Sequence, residues 1–325
     1  MITKRHLLRA VAATPFVINS HAWAQAAWPS KPLHVLVGFP GGSSPDLMAR
    51  VVTEELAHLL GQPVVVDNKP GASGNIAADQ LAKASDEHTL GVLINGNLTV
   101  AKLINPATPF DPSKDFAPIS LLGTAPLVLT AANSATGTTP AELLQWARAL
   151  GDKANYGTPG NGTVAHLGME LLKSKAGLVA VHVPFPGNPQ VVNALLAGQI
   201  HLSLLPPGIA MPQVKAGKLK AIAVTSPARS PLVPELPTLH EAGVTGTDLE
   251  VWTALVGPAS LPKPIVARIA AAVAEVMRQS ETQARLLAAG WQVVGSSPEV
   301  LAQRMKADTA LLGEIISSRG IKADS

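Results

Sequence analysis

Two segments of the chain place glycines and small hydroxyl residues directly after an apolar strand and directly before an amphipathic helix. One is Val37-Gly38-Phe39-Pro40-Gly41-Gly42-Ser43-Ser44-Pro45-Asp46; the other is Gly157-Thr158-Pro159-Gly160-Asn161-Gly162-Thr163. A helix start carries unpaired backbone N–H groups and the positive end of the macrodipole, so it holds a carboxylate or phosphate without a lysine. Glycine lets the backbone approach a ligand closely and adopt φ > 0, and Ser and Thr hydroxyls add donors of variable direction. Two such cradles in one chain predict a two-lobed anion receptor. The plainer alternative is that each turn only passes the chain tightly from strand to helix.

The residues around the turns offer further chemistry. Asp46 lies early in its helix, where an acid either serves as a general base or engages free N–H groups and the dipole; the second role is the expected one. His166 falls in the first turn of its helix, placed either to donate to a ligand or to pack. No enzyme signature accompanies them. Gly41-Gly42-Ser43-Ser44 is not a G-x-S-x-G elbow, neither glycine turn ends in G-K-[ST], and His240-Glu241 lacks the second histidine of H-E-x-x-H. There are no cysteines, so thiolate metal sites, disulfides and cysteine nucleophiles are excluded. The expectation is a binding protein with no catalytic residue, metal or cofactor. A hydrolase with a dispersed triad is the weaker alternative.

The elements that must position these turns alternate. Leu33–Val37 reads as a strand, 47–60 as a helix, 63–67 as a strand, 74–83 as a helix and 90–94 as a strand. A second series follows: strand 127–131, helix 141–150, strand 155–157, helix 163–174, strand 179–183, helix 190–197, then strands 200–204 and 221–225. This order predicts an α/β protein of two lobes, each a mostly parallel sheet flanked by helices. After a strand at 251–256, one helical segment runs from Pro264 to Gly290 and a last helix spans 298–318 behind a Ser296-Ser297 cap. The strands near 127–131 and 251–256 are the expected hinge.

Lys4, Arg5 and Arg9 precede or enter the apolar run 10–18, and Ala22-Trp23-Ala24 offers an A-x-A cleavage site. Residues 1–24 therefore read as a signal peptide, of Sec or Tat type, that directs the chain to the periplasm. The apolar run is shorter than the roughly 20 residues that span a bilayer. Removing Lys4, Arg5 and Arg9 from the 25 basic residues leaves 22, against 22 acidic ones. A near-neutral chain with 3% aromatics lacks the footprint of a nucleic-acid binder, and 47% hydrophobic residues suffice for two cores.

Taken in order, the motifs resemble the Bug family, the TctC-type substrate-binding receptors of tripartite tricarboxylate transporters. The matching stretches are Trp28-Pro29-Ser30-Lys31-Pro32, Pro40-Gly41-Gly42 with Asp46 and Arg50, Val66-Asp67-Asn68-Lys69-Pro70-Gly71-Ala72-Ser73-Gly74, Gly160-Asn161-Gly162-Thr163 with His166, and His182-Val183-Pro184-Phe185-Pro186-Gly187. They continue with Ala197-Gly198-Gln199-Ile200, Ala223-Val224-Thr225-Ser226 with Arg229, Pro237-Thr238-Leu239-His240-Glu241-Ala242-Gly243, and Trp252. The resemblance implies a periplasmic binding-protein fold (type II-like), with lobe 1 from residues 25–124 plus 251–325 and lobe 2 from 125–250. It implies that a small carboxylate-bearing ligand is held between Gly41, Gly42 and Ser43 on one jaw and Thr158, Asn161, Gly162 and Thr163 on the other. Phe39 and Phe185 are expected to wall the pocket, with Asp46, Asn97, His166 and Gly187 close by. The implied partners are the membrane permease subunits of such a transporter or, alternatively, a membrane sensor kinase, with the receptor a monomer. Three departures bear on the ligand: Pro45 in the first turn, Pro186-Gly187-Asn188-Pro189 in place of a Lys-Gly pattern, and His201 where an aspartate is common. The last argues against a basic or amino-acid ligand if that acid orders the pocket.

Overall fold

The computed structural model describes residues 28–321. The expected signal peptide lies outside them. Strand β1 (Leu33–Val37) is buried at every position except His34, as a strand covered on both faces requires. The first glycine turn follows, then α1 (Ser44–Leu60), which has Ser43 at its N-cap, Pro45 in its first turn and Gly61 in the left-handed region at its end. Next come β2 (Val64–Asn68), α2 (Asn75–Ala82), β3 (Thr89–Ile94), a wide helical turn at Gly96–Val100, α3 (Ala101–Ile104) and β4 (Phe116–Pro126).

The second series is β5 (Val128–Ala132), α4 (Pro140–Ala149), β6 (Asn155–Thr158), α5 (Val164–Ala176), β7 (Val181–Pro184), α6 (Asn188–Leu196), β8 (Leu202–Leu205), α7 (Pro207–Lys215) and β9 (Leu219–Val224). The chain closes with β10 (Glu250–Pro258), α8 (Lys263–Val276), α9 (Ser280–Ala288), β11 (Gln292–Val293) and α10 (Pro298–Arg319). The expected single helix from Pro264 to Gly290 is thus two.

These strands form two sheets, ordered β11-β4-β10-β3-β1-β2 and β7-β6-β8-β5-β9. Both are mixed. In the first, β1 to β4 run one way and β10 and β11 the other; in the second, β5 alone runs against its neighbours. Four strands of each sheet share a direction, but only four of the nine neighbouring pairs are parallel, so the expected mostly parallel sheets are mixed ones; β5 and β10, the strands that follow the two crossings, run against their neighbours. The chain leaves the first sheet at Pro126 and enters the second at Val128, then returns after β9 into β10. The two crossings lie side by side, with Glu250 opposite Pro126. Buried Thr225 ties them: its hydroxyl accepts from Leu127 N at 2.9 Å and donates to Leu249 O at 2.6 Å.

Sequence periodicity missed β4 because Pro118 and Gly123 read as breakers. Both flank irregularities in its pairing with β10, where a bulged strand tolerates them. It also missed α7, which begins Pro206-Pro207-Gly208 and carries Pro212 inside. Helices α8 and α9 pack with α1 in the core over the first sheet. Helix α10 serves both halves: Leu301 and Met305 join the core of β1 and β10, while Leu312, Ile315 and Ile316 join the core of β5, β6 and α5.

Candidate functional site

Four helices start at one place. The N-terminal residues of α1 (Ser44, Pro45), α5 (Thr163, Val164, Ala165), α6 (Asn188) and the N-cap of α7 (Pro206) line a cavity of about 40 Å³. Its other walls include Phe39, Ile94, Leu127, Leu204, Val251, Thr253 and Trp291, drawn from both sheets and both crossings. A second cavity of about 220 Å³ shares Ile94 and Thr163 with it and is lined by Ser73, Asn75, Asn97, Asn105, Asn161 and Gly162 among others. Among the described residues no ionisable side chain lines either cavity.

Three residues in the wall of the inner cavity carry a buried polar atom with no partner. Ser44 Oγ, Thr253 Oγ1 and Trp291 Nε1 are buried and make no hydrogen bond within the protein, at 4%, 0% and 0% residue exposure. A buried polar group left unpaired costs about 1–3 kcal/mol, and four positive helix ends around the same space suit it to an acceptor-rich or anionic group. None of the three was among the expected site residues. Thr253 left a signal, as the lone hydroxyl in the apolar strand Val251-Trp252-Thr253-Ala254-Leu255-Val256. Trp291 left none, since an aromatic after a helix-ending glycine ordinarily reads as core.

The expected residues divide. Phe39 lines the inner cavity, Asn97, Asn161 and Gly162 line the outer one, and Thr163 lines both. Thr163 also caps α5, its Oγ1 accepting from His166 N and donating to Gly160 O at 2.8 Å.

Gly41 and Gly42 are solvent-exposed on the rim and line neither cavity. The reason is Asp46, whose Oδ2 accepts from Gly42 N at 2.9 Å and from Arg50 Nε at 3.0 Å, while its Oδ1 accepts from Asn68 Nδ2 at 2.9 Å. Burial pushes the Asp46 carboxyl up, but the hydrogen bonds from Arg50, Gly42 and Asn68 outweigh it and hold the group below the ordinary carboxylate range. Asp46 therefore organises the turn, as the dipole argument expected. Ser43 is buried beside the inner cavity without lining it, and its Oγ has no partner.

Other expected residues support the second turn from behind. Thr158 Oγ1 accepts from Gly160 N at 3.2 Å and lies 2.6 Å from His182 Nε2. His166 Nδ1 accepts from Gly162 N at 3.2 Å, and its ring stacks on His182 at 4.2 Å, which in turn stacks on Tyr156 at 5.0 Å. The His166 ring is thus committed to this stack, which Tyr156 continues through a hydrogen bond to Glu170. Phe185 packs against the core of β5, β8 and α6 and lines neither cavity. His201 is 2.7 Å from Asn155 Oδ1 and beside Trp146, also away from both cavities, so position 201 carries no argument about the ligand.

The two halves interlock through glycine. A Cβ on Gly96 would lie 2.8 Å from Gly162 O, one on Gly187 would lie 2.7 Å from Ser43 Oγ, and one on Gly160 would collide with Ser73. Gly187 thus acts as a contact between jaws.

Comparison with known proteins agrees with this geometry. Residues 48–321 match the family described as tripartite tricarboxylate transporter family receptor. A solved structure titled MatC from Rhodopseudomonas palustris with bound malate is 33% identical, covering 89% of this chain and 100% of that one, with TM-score 0.84. A second R. palustris protein, solved with adipate, is 30% identical over 91% of this chain and 100% of the other, with TM-score 0.88. The periplasmic binding protein BugD is 28% identical over 91% and 100%, with TM-score 0.87. The sequence motifs, the two crossed sheets and the helix ends gathered between them therefore agree: this chain belongs to the Bug, or TctC-type, receptors of the tripartite tricarboxylate transporter family.

Proposed function

We propose that the chain is a periplasmic solute receptor that closes over a small carboxylate-bearing ligand and delivers it, chemically unchanged, to the membrane subunits of a tripartite tricarboxylate transporter. The observation that carries this reading is the inner cavity, where four helices begin around a space lined by no ionisable side chain and walled in part by Ser44, Thr253 and Trp291, whose buried polar atoms have no partner. A carboxylate there is held by aligned peptide dipoles and neutral donors. The malate and adipate in the two R. palustris relatives support the same class. Export depends on the signal peptide expected at residues 1–24.

The moving bodies are the two lobes, 25–124 with 251–325 and 125–250, turning about the crossings tied by Thr225. Closure brings Gly96, Gly160 and Gly187 into the contacts described above and seals the ligand from water.

Thermal unfolding of denatured and refolded mature protein, with a panel of mono- and dicarboxylates, tests the reading. A ligand at 100 times its Kd stabilises by about 2.7 kcal/mol. Stabilisation by at least one acid, return of that acid intact by mass spectrometry, and compaction in small-angle scattering are the expected results. Time-dependent conversion of the acid would move the protein to the enzymes.

A further inference from the structure

The segment 96–104, made of the wide helical turn and α3, has two faces. Gly96, Asn97, Ala101 and Ile104 line the outer cavity, whereas Leu98, Thr99, Lys102 and Leu103 line a separate groove of about 780 Å³. The other wall of that groove is α10, which presents Ala302, Met305, Lys306, Thr309 and Ala310 at helical spacing. Phe116 and Pro118 of β4 complete it. The groove is large enough to take several aliphatic side chains, and Leu103 at its edge is 50% exposed.

The walls are mostly apolar, and the charge left over at their edges is positive. Lys102 and Lys306 are exposed and, among the described residues, enter no ion pair. Asp111, the acid in the lining, is already engaged: its Oδ1 accepts from Ser113 N at 3.0 Å and from Ser113 Oγ at 2.7 Å, and its Oδ2 lies 3.1 Å from Lys114 Nζ. Apolar walls edged by free lysines are complementary to an amphipathic helix with an acidic polar face, and Ala302 and Ala310 leave room for its backbone to approach α10.

The groove is also tied to the ligand site. Leu98 and Ala101 belong to the core of β1 and β10, Val100 and Ile104 to that of β5, β6 and α5, and α10 divides between the same two cores. Gly96, at the start of the segment, abuts Gly162 across the jaws. A rotation of one half against the other, or a ligand pressed on Asn97 and Ile104, therefore shifts Leu98, Lys102 and Leu103 relative to α10. On the reading that the receptor delivers its ligand to a membrane partner, we propose that this groove docks an acidic amphipathic helix of that partner, and that a carboxylate in the ligand site strengthens the docking.

Calorimetric titration of the mature protein with two synthetic helices tests this. One carries leucine on its apolar face and glutamate on its polar face, the other lysine in place of glutamate, and each is titrated alone and with saturating malate, adipate or another acid of the thermal panel that binds. The expected result is about tenfold tighter binding of the glutamate peptide than of the lysine peptide, tightened about threefold more by the bound acid. By linkage the glutamate peptide tightens the acid by the same factor. No binding of the glutamate peptide at millimolar concentration, or equal binding of the two peptides, overturns the proposal. Equal affinity of the glutamate peptide with and without bound acid overturns the coupling. An acid that binds where the peptides fail leaves the receptor reading standing, whereas no binding by any acid of the panel overturns that reading and the coupling with it.

Two variants locate the effect. Lys102→Glu combined with Lys306→Glu weakens the glutamate peptide about tenfold and strengthens the lysine peptide, reversing the preference. Leu103→Ser weakens both peptides about fivefold by removing apolar contact. All three side chains are exposed and line neither cavity, so the variants fold and bind the acid within about twofold of wild type in the absence of peptide. An unchanged preference between the peptides in the charge-reversed protein overturns the assignment of the groove.

Discussion

The two glycine turns share a pattern in sequence and differ in the fold. In the first, Gly41 and Gly42 are exposed, and a buried carboxylate, Asp46, bound by Arg50 and Asn68, holds the turn together. In the second, Gly160 and Gly162 are buried against the opposite half, and an uncharged hydroxyl and an imidazole, Thr158 and His166, hold the turn. The first turn meets the opposite half through Pro40 and Ser43 and leaves its glycines on the rim, whereas the second makes its glycines the closing surface. A glycine motif therefore reports a backbone requirement, and what presses against the glycine decides whether that requirement concerns local geometry or function.

The largest expected effect sharpens this contrast. Gly160 has φ 125° and no room for a Cβ against Ser73. A Gly160→Val protein folds but disfavours the closed state by about 3 kcal/mol, which weakens the best carboxylate by about hundredfold. Calorimetry together with the melting temperature checks it, and wild-type affinity in the folded variant would break the comparison.

Asp46→Asn comes next and acts on stability. It keeps shape but loses the charge paired with Arg50, for a cost of about 2 kcal/mol. Because the folded Asp46 pKa is depressed below the ordinary value of 3.8, its contribution is fully present above pH 3.8 and is lost as pH falls through the lower folded value. Denaturant midpoints for wild type and variant should therefore differ most near neutrality and converge in acid. A constant gap down to pH 2 would contradict the assigned role.

His166→Phe preserves the stack on His182 but leaves Gly162 N without its acceptor, costing about 1 kcal/mol of stability with ligand affinity within about threefold. A hundredfold loss of affinity would instead place His166 at the ligand.

The smallest effect is expected for Gly42→Ala. Its φ is 79°, so alanine is strained by about 1 kcal/mol, yet the nearest atom to a new Cβ is Pro189 Cγ at 3.9 Å. Affinity should be unchanged. If Gly42→Ala weakened binding more than Gly160→Val, the rim and the closing surface would have to be exchanged.

Much of this was legible in sequence. The strand-turn-helix order predicted two α/β halves because apolar periodicity and glycine punctuation are local properties of the chain. Phe39, Asn97, Asn161, Gly162 and Thr163, all expected near a ligand, line the two cavities, and each follows the C-terminal end of a strand, where α/β crevices form. Local patterns could not show that β4 survives Pro118 and Gly123 by bulging against β10, or that His166 turns into a ring stack with His182 and Tyr156. They could not separate Trp252, whose indole donates to Asp308 Oδ2 at 2.5 Å, from Trp291, whose indole N–H is left unpartnered beside the inner cavity. Whether a donor is satisfied depends on residues tens or hundreds of positions away, and only the packed tertiary structure brings them within 3 Å. The sequence thus determined the elements and the anion-binding character of the helix starts, and the tertiary structure decided which polar groups find a partner within the protein.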